Sequence, residues 1–347
     1  MSDPTHSPVT KAFPRDDIAR RISAYSALHD ESGGGTVTAR EAQSGSMAKR
    51  YHDLVTDFYE YAWGHSFHFA PRRKNESFAE SLRRYQRFVA ESIGLKPGMR
   101  VLDVGCGIGG PMREIVKVSG AHVVGLNINA YQLAKCERYN RKAGIADRTG
   151  LLEGDFMAIP AKDASFDAVY QIGATCHTSD KVGVFSEIFR VLKPGGLFAS
   201  DEFCLTPAYD SGNPEHRRLK KFMEHGASLP DIPPFEAVTE ALEQVGFDLL
   251  EARDMNAEPG VETPWWKVLE GGEFGLRSLP RGSVGRRITA TATWVLEKVG
   301  AVPDGTTAVA KMLNEGADGF LGAGRLGIFT PSYYTKARKP ETARSLP

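Results

Sequence analysis

The chain lacks the features that mark several large classes of protein. Its 43 lysines and arginines balance 43 aspartates and glutamates, so no net charge favours nucleic acid as a partner. No apolar run approaches the ~18 residues that a membrane-spanning helix needs, and the N-terminus MSDPTHSPVTKAF has no hydrophobic core of the signal-peptide type. Four widely spaced cysteines without a C-x-x-C pair predict neither a disulfide framework nor a metal site. These absences predict an intracellular, cytoplasmic protein that is not secreted.

The 347 residues, 41% of them hydrophobic, are enough for about two domains or for one large domain with an extension. Residues 1–46 mix Pro, Ser, Thr and Gly and are predicted to be flexible, apart from one amphipathic stretch at Asp16–Leu28. Residues 47–254 carry the regular pattern of a main domain. The pattern changes near Met255, so residues 255–347 are predicted to form a C-terminal extension.

Strands and helices alternate through the main domain, which predicts an α/β fold with a doubly wound, mostly parallel sheet covered on both faces. Helices are predicted at 76–93, 110–118, 130–143, 181–192, 214–224, 235–245, 283–299 and 306–318. Strands are predicted at 100–104, 122–126, 149–153, 168–172, 196–203, 247–252 and 326–336.

One glycine motif points to a cofactor. Gly105, Gly107 and Gly110 satisfy G-x-G-x-x-G, which alone is common to several nucleotide-binding folds. Asp103 precedes the first glycine by two residues, where a carboxylate would repel a diphosphate and attract the ammonium group of an amino-acid cofactor. The next strand ends at Asn127, where dinucleotide-binding proteins usually carry an acidic residue.

Together with the later run GDFM, this pattern is that of S-adenosylmethionine methyltransferases. Asp155 in that run would accept a hydrogen bond from the adenine amino group. The candidate cofactor-binding residues are Asp103, Gly105, Gly107, Gly109, Asn127, Gln132, Asp155 and Phe156.

Several further segments share one order with a known family. From about Tyr51 onward the runs YHDLVTDFYEYAWGHSFHF, LDVGCGIGGPMREI, VVGLNIN, GDFM, ATCH, VLKPGG and NPEHR resemble the sterol 24-C-methyltransferases. The resemblance implies a seven-stranded Rossmann-like methyltransferase sheet with N-terminal helices and a C-terminal extension. It implies transfer of a methyl group from S-adenosylmethionine to the side-chain alkene, carbon 24, of a sterol.

The chemistry of that reaction suits an aromatic pocket. An alkene attacking a sulfonium methyl group leaves a carbocation, which aromatic faces stabilise while they exclude water. Six rings lie between Phe58 and Phe69, and the resemblance assigns a substrate role to this segment. The candidate substrate-binding residues here are Tyr61, Trp63 and Phe67, with Tyr59 as a candidate catalytic residue.

A base must then remove a proton from the cation. Candidates in the sequence are Glu60, His68, His177 and Glu202, and the assignment among them stays open. His177 follows a predicted strand near the carboxyl ends, where ligands of such sheets bind.

The chain departs from the family pattern in the presumed substrate pocket. Gly173 stands where members carry glutamate, and Ala227 where they carry aspartate, whereas Asp201 adds a carboxylate beside Glu202. Either Asp201 compensates for the missing glutamate, or the site suits an alkene without a polar hydroxyl, such as squalene. Gly173 and Asp201 are therefore candidate substrate-binding residues. A lipid-binding protein that has lost catalysis is a third hypothesis, disfavoured by the intact cofactor motif.

Such lipids are insoluble, so contact with a membrane or lipid-droplet surface is expected, at the endoplasmic reticulum if the source is eukaryotic. The candidate contacts are the amphipathic stretch Asp16–Leu28 and the run Thr263-Pro-Trp-Trp266, which could equally be core or pocket lid. A homo-oligomer is possible, and the sequence does not decide the oligomeric state.

Overall fold

Short apolar strands and amphipathic helices alternate along the chain because their hydrophobic periods alternate between about 2 and 3.6 residues. A computed structural model describes residues 17–30, 32, 35–271 and 282–341. The helices of these described residues are α1 Asp17–Ala27, α2 Val37–Glu41, α3 Ser44–Trp63, α4 Phe78–Ser92, α5 Gly110–Ser119, α6 Ala130–Lys142, α7 Lys181–Val191, α8 Pro214–Ala227, α9 Phe235–Val245, α10 Lys267–Glu270, α11 Ser283–Lys298 and α12 Thr306–Leu326. The strands are β1 Arg100–Val104, β2 His122–Asn127, β3 Thr149–Glu153, β4 Phe166–Ile172, β5 Leu192–Leu205, β6 Asp248–Asp254 and β7 Phe329–Arg338.

The strands form one sheet in the order β3-β2-β1-β4-β5-β7-β6. The pairs among β1 to β5 are parallel, and β7 pairs antiparallel with both β5 and β6. This confirms the predicted doubly wound α/β fold with a mostly parallel sheet of seven strands. The last strand starts at Phe329, three residues later than predicted, because α12 continues to Leu326 and Gly327 then caps it.

The C-terminal extension is not a separate unit. Its strand β7 lies between β5 and β6 of the main sheet, and Asp201 pairs with Tyr334 in the β5–β7 register. Strand β6 precedes the predicted boundary after residue 254 and β7 follows it, yet the two strands are neighbours in one sheet. The boundary therefore divides a continuous sheet. The two antiparallel contacts of β7 place α11 and α12 directly over the carboxyl end of the sheet.

Successive residues of each central strand point to opposite faces, so the sheet has a core on either side. In β1, Val101 belongs to the core beneath α4 and α5, whereas Leu102 and Val104 belong to the core beneath α7 and α9. The carboxyl ends of β1, β2 and β4 meet at one edge, where loops of this fold carry ligand-binding groups.

The N-terminal part differs from the flexible segment expected for residues 1–46. Residues 1–16, 31, 33 and 34 lie outside the described residues, but α1 and α2 are helices packed on the domain. Ile18, Ile22 and Tyr25 of α1 are buried against α3 and α12, and the Tyr25 hydroxyl donates to the His225 carbonyl at 2.5 Å. The apolar face of α1 is thus covered by protein and is unavailable to a membrane.

The two tryptophans of the Thr263–Trp266 run pack into the protein core. Trp265 is 6% exposed and meets Phe69 edge-on, with ring centroids 5.0 Å apart. Trp266 packs partly buried beside it against α12. No helix among the described residues is both long and apolar enough to cross a membrane.

Candidate active site

The loop between β1 and α5 is built from glycines because its backbone takes conformations that other residues avoid. Gly105, Gly107 and Gly109 have φ angles of +75°, +55° and +76°. A side chain on Gly105 would meet Ala174 at 2.3 Å, so the loop fits tightly against the end of β4. Gly107 faces a cavity, and the nearest atom to a Cβ placed there is Phe67 Cδ2 at 4.0 Å.

Gly109 does not line this cavity. A Cβ at Gly109 would lie 2.4 Å from Cys136 Sγ of α6, so this glycine serves close packing between the loop and a helix. Its cofactor contact therefore stays a prediction. The N-terminus of α5, which begins at Gly110, packs equally closely on the backbone of His65.

Asp103 lies beneath the glycine loop and is 3% exposed. Its Oδ2 atom is buried without a hydrogen-bond partner among the described residues. Burial raises the pKa of Asp103 to about 7, because a carboxylate loses its hydration there. The Tyr170 hydroxyl lies beside the same carboxyl group, and Asp103 does not itself line the cavity, so its contact with the ammonium group of the cofactor stays a prediction.

The ends of β2 and β3 supply the next part of the cavity. Asn127 and Gln132 both line it, and Asn127 Nδ2 donates to Gln132 Oε1 at 2.8 Å. Phe156 also lines it, whereas Asp155 lies just outside, with Oδ1 accepting from the Met157 backbone N–H at 2.9 Å. Three polar or aromatic groups thus surround the space beside the glycine loop, which suits an adenosine moiety.

Beyond the loop the cavity becomes aromatic. Tyr59, Tyr61, Trp63 and Phe67 all line it, as predicted, and Phe67 lies between the other rings and Gly107. Tyr61 is 64% exposed, so it forms the rim of the cavity. Trp63 is braced edge-on by Phe69 at a centroid distance of 4.9 Å.

The Tyr59 hydroxyl is fixed by a chain of hydrogen bonds. Tyr51 donates to the Gly226 carbonyl at 2.6 Å, so the Tyr59 hydroxyl donates to Tyr51. The lone pairs of the Tyr59 oxygen are then free to face the cavity. Desolvation raises the pKa of Tyr59 to about 12, so the phenol is neutral at physiological pH.

His177 shares the cavity wall with a second imidazole that sequence reasoning missed. His177 Nδ1 lies 3.0 Å from the Ser228 carbonyl, which only accepts, so this nitrogen carries the hydrogen. His52 Nε2 lies 3.3 Å from His177 Nε2, so it donates to that lone pair. His52 Nδ1 is then an acceptor, buried without a partner among the described residues. The histidine-rich run around residue 52 was the only sequence signal for it.

The environment keeps this imidazole pair neutral. Desolvation lowers the pKa of His52 to about 3 and also lowers the pKa of His177. A neutral imidazole keeps a lone pair that can receive a proton from a very strong acid. His68 also lines the cavity, but Nδ1 bonds the Phe69 carbonyl at 2.6 Å and Nε2 bonds Gln86 at 2.9 Å. Both nitrogens of His68 are therefore engaged, as are those of His177, so among these three histidines the free lone pair is that of His52 Nδ1.

Two predicted catalytic carboxylates do not reach the cavity. Glu60 pairs with Lys135 and Tyr139 of α6, because adjacent helical residues point about 100° apart and Tyr59 takes the cavity side. Glu202 is fully buried and accepts from Lys181 at 2.9 Å and from Gln171 at 3.0 Å. These bonds anchor the turn that carries His177, so Glu202 is a positioning residue.

The structure places Asp201, a predicted substrate contact, outside the cavity lining, and the contact stays a prediction. The Asp201 side chain lies under α4, where it accepts from the Tyr85 hydroxyl at 2.8 Å and does not line the cavity. Desolvation raises its pKa well above the usual range. Asp201 therefore does not reach the cavity that Gly173 lines, where Gly173 has a φ of +65° and a Cβ built on it would contact Phe203 Cε1 at 3.5 Å.

Helices α11 and α12 close the remaining wall of the same cavity. Their cavity-facing residues recur at helical spacing and come from a part of the sequence in which no site residue was predicted: Arg286, Thr289 and Ala290 of α11, and Ala310, Leu313, Asn314, Ala317 and Phe320 of α12.

Comparison with known proteins agrees with this architecture. A methyltransferase-domain model matches residues 102–200, and a sterol methyltransferase C-terminal model matches residues 276–341. The chain is 44% identical to cycloartenol-C-24-methyltransferase 1 of Oryza sativa subsp. japonica over 94% of both chains. It is 42% identical to the sterol 24-C-methyltransferase of Yarrowia lipolytica over 85% of this chain and 79% of that one.

Solved structures share the fold at lower identity. The cyclopropane synthase MmaA2 from Mycobacterium tuberculosis has a TM-score of 0.67 at 19% identity, covering 84% of this chain and 96% of that chain. Fold and glycine loop together define a class I methyltransferase that uses S-adenosylmethionine. Within that class, the chain belongs to the sterol 24-C-methyltransferase family.

Proposed function

We propose that the protein transfers a methyl group from S-adenosylmethionine to the side-chain alkene, carbon 24, of a sterol. The observation that carries this proposal is one cavity that joins the glycine loop, the aromatic segment of α3 and the α11–α12 wall. Such a cavity holds a cofactor and an elongated apolar acceptor side by side, which is what the reaction needs.

Residues around the glycine loop would hold the cofactor. Asp103 would receive its ammonium group, Gly107 leaves the space that it occupies, and Asn127 and Phe156 would flank its adenosine part. When bound, S-adenosylmethionine supplies the electrophilic methyl group that the alkene takes up, leaving a tertiary cation on the sterol.

The protein's own residues would then stabilise and discharge that cation. The faces of Tyr59, Trp63 and Phe67 stabilise positive charge and keep water away. The neutral imidazole pair of His52 and His177 would take the proton whose loss leaves the new alkene. A low pKa is no obstacle, because a proton beside a carbocation is far more acidic than an imidazolium ion.

The test is incubation with methyl-labelled S-adenosylmethionine and a mixture of zymosterol, cycloartenol, desmosterol and squalene, followed by mass spectrometry. We expect label in a sterol and none in squalene. Label in squalene alone would replace the sterol by an acyclic triterpene. Cofactor binding without label in any acceptor would favour a lipid-binding protein.

We also propose that the outer face of α11 contacts a lipid surface. Among the described residues, α11 is inverted: its apolar stripe faces solvent, with Ile288 64%, Val295 45% and Val299 70% exposed. Its inner side carries Arg286 and buried Thr293. A surface helix of a globular protein normally turns its apolar side chains toward the core and its polar side chains toward solvent.

Two features favour lipid as the occupant of that stripe. Exposed Arg287 and Lys298 lie on the helix beside it, which suits anionic headgroups. The opposite side of the same helix lines the cavity that would take the sterol, so a lipid surface at the stripe would lie one helix width from the substrate site.

Replacing Ile288 and Val295 together by aspartate should lower binding to phosphatidylcholine–phosphatidylserine vesicles at least about 10-fold, because two apolar side chains that would enter the lipid become charged. Flotation measures binding, and methyl transfer to detergent-dispersed sterol should be retained. The control is Leu250→Asp, at a 42% exposed residue of β6. Unchanged flotation would refute lipid contact here, and a dimer that dissociates in the double variant would assign the stripe to a second copy.

A further inference from the structure

The wall formed by α11 and α12 is apolar except at a few positions. The polar side chains that it presents to the cavity are Arg286 and Thr289 from α11 and Asn314 from α12. They are grouped between the two helices, among alanine, leucine and phenylalanine side chains. A polar group in such a wall normally fixes the orientation of an apolar ligand.

Arg286 is held rigidly by protein groups on one side only. Nη1 donates to the Asn314 carbonyl at 3.0 Å, and Nη2 donates to Asp318 Oδ1 at 2.7 Å. These bonds leave the Arg286 side chain 11% exposed. Nε, by contrast, is buried and has no hydrogen-bond partner among the described residues. A buried donor without a partner is costly, so a ligand acceptor at this point would be bound favourably.

The α11–α12 wall and the glycine loop belong to one cavity but come from different elements. The atoms nearest to Cβ positions built on Gly105 and Gly107 belong to Ala174 and Phe67, and none belongs to α11 or α12. If the alkene of an elongated acceptor is held at the glycine loop for methyl transfer, its other end would lie against the α11–α12 wall.

We propose that Arg286, together with Asn314, binds the ring hydroxyl of the sterol. This inference rests on the proposed function. It assigns binding residues to the ring hydroxyl, which lies at the opposite end of a sterol from the side-chain alkene. Arg286 Nε donates to the hydroxyl oxygen, and the Asn314 amide oxygen or Thr289 hydroxyl accepts its proton. The hydroxyl is thus recognised without the two carboxylates that family members carry at the positions of Gly173 and Ala227.

Squalene, which lacks a hydroxyl, would leave Arg286 Nε buried and unpaired. A site built to bond a hydroxyl rejects analogues that lack it much more strongly than a hydrophobic pocket rejects a change of size. Arg286 is therefore expected to determine the choice of a sterol over an acyclic triterpene.

The experiment compares a sterol that bears a side-chain alkene and a 3-hydroxyl with its 3-deoxy analogue, both dispersed in detergent. We expect wild-type kcat/KM to be about 10- to 100-fold lower for the deoxy compound, mainly through KM. In Arg286→Met, kcat/KM for the hydroxysterol should fall by a similar factor while the value for the deoxy compound changes little.

Arg286 also joins two helices, so a second variant separates binding from packing. Asn314→Leu leaves the Arg286–Asp318 pair in place and should reduce discrimination by a smaller factor in the same direction. Arg325→Met, at an exposed α12 arginine paired with Glu270, is the matched control and should behave as wild type.

Equal wild-type kcat/KM for the two sterols would overturn the hydroxyl assignment. So would an Arg286→Met variant that loses the same factor with both substrates. Failure to methylate either sterol, with cofactor binding retained, would instead overturn the proposed function and this inference with it.

Discussion

Replacing Gly107 by alanine is expected to lower the affinity for S-adenosylmethionine by at least about 100-fold. The added methyl group would stand in the space that the cofactor needs, since no protein atom lies closer than 4.0 Å to that position. The backbone cost is smaller, because alanine at a φ of +55° loses only about 1–2 kcal/mol. Isothermal titration calorimetry with S-adenosylmethionine measures the affinity, and a thermal melt measures the stability.

Gly94→Ala is the matched control for this experiment. Gly94 has a φ of +62° with open space around it, and it lies at the end of α4, away from the cavity. The control should show a comparable loss of stability with unchanged cofactor affinity. If both variants bound the cofactor as wild type does, the glycine loop would not be the cofactor site.

Replacing His177 by asparagine is expected to lower kcat for sterol methylation by about 100- to 10,000-fold, the range that a positioned proton acceptor contributes. Asparagine can still donate to the Ser228 carbonyl, so the turn should keep its anchor. Cofactor affinity should be unchanged, because His177 lies on the aromatic side of the cavity. His52→Gln should produce a loss of similar size if the two imidazoles work as a pair.

His122→Asn is the control, at an exposed histidine at the start of β2. Its kcat should match that of wild type. Retention of full activity in both His177→Asn and His52→Gln would exclude the imidazole pair as the base. In that case bound water or the Tyr59 oxygen would be the remaining acceptor.

The same pair predicts an unusual pH profile. Protonation would remove the accepting lone pair, and the lowered pKa values of His52, about 3, and His177 delay that protonation to acidic solution. Wild-type kcat should therefore stay level as pH falls from 8 to about 5.5, whereas a base with the ordinary histidine pKa would lose half its activity near pH 6.5. Rates should be read only where a melt shows the protein folded.

Secondary-structure periods and the glycine motif were sufficient to predict the sheet, the loop and the cofactor. Local rules determine these features, because strand alternation, helix period and positive φ angles depend on near neighbours. The aromatic run was also recognisable, and all six of its rings line the cavity. Apart from Gly109, the predicted site residues that do not line the cavity are carboxylates, whose chemistry is visible in the sequence although the direction of their side chains is not.

Family, element order and the identity of the reactive groups could all be predicted from the residues in their order. Which of these groups meet depends on how the elements pack together. Packing of α3 on α6 turned Glu60 toward Lys135 and left Tyr59 in the cavity, and burial under α4 removed Asp201 from it. His52 of α3 meets His177 of the turn after β4, and Arg286 of α11 lines the same cavity, although these residues are far apart in the sequence. Such contacts depend on which surfaces cover one another, and no local period encodes that.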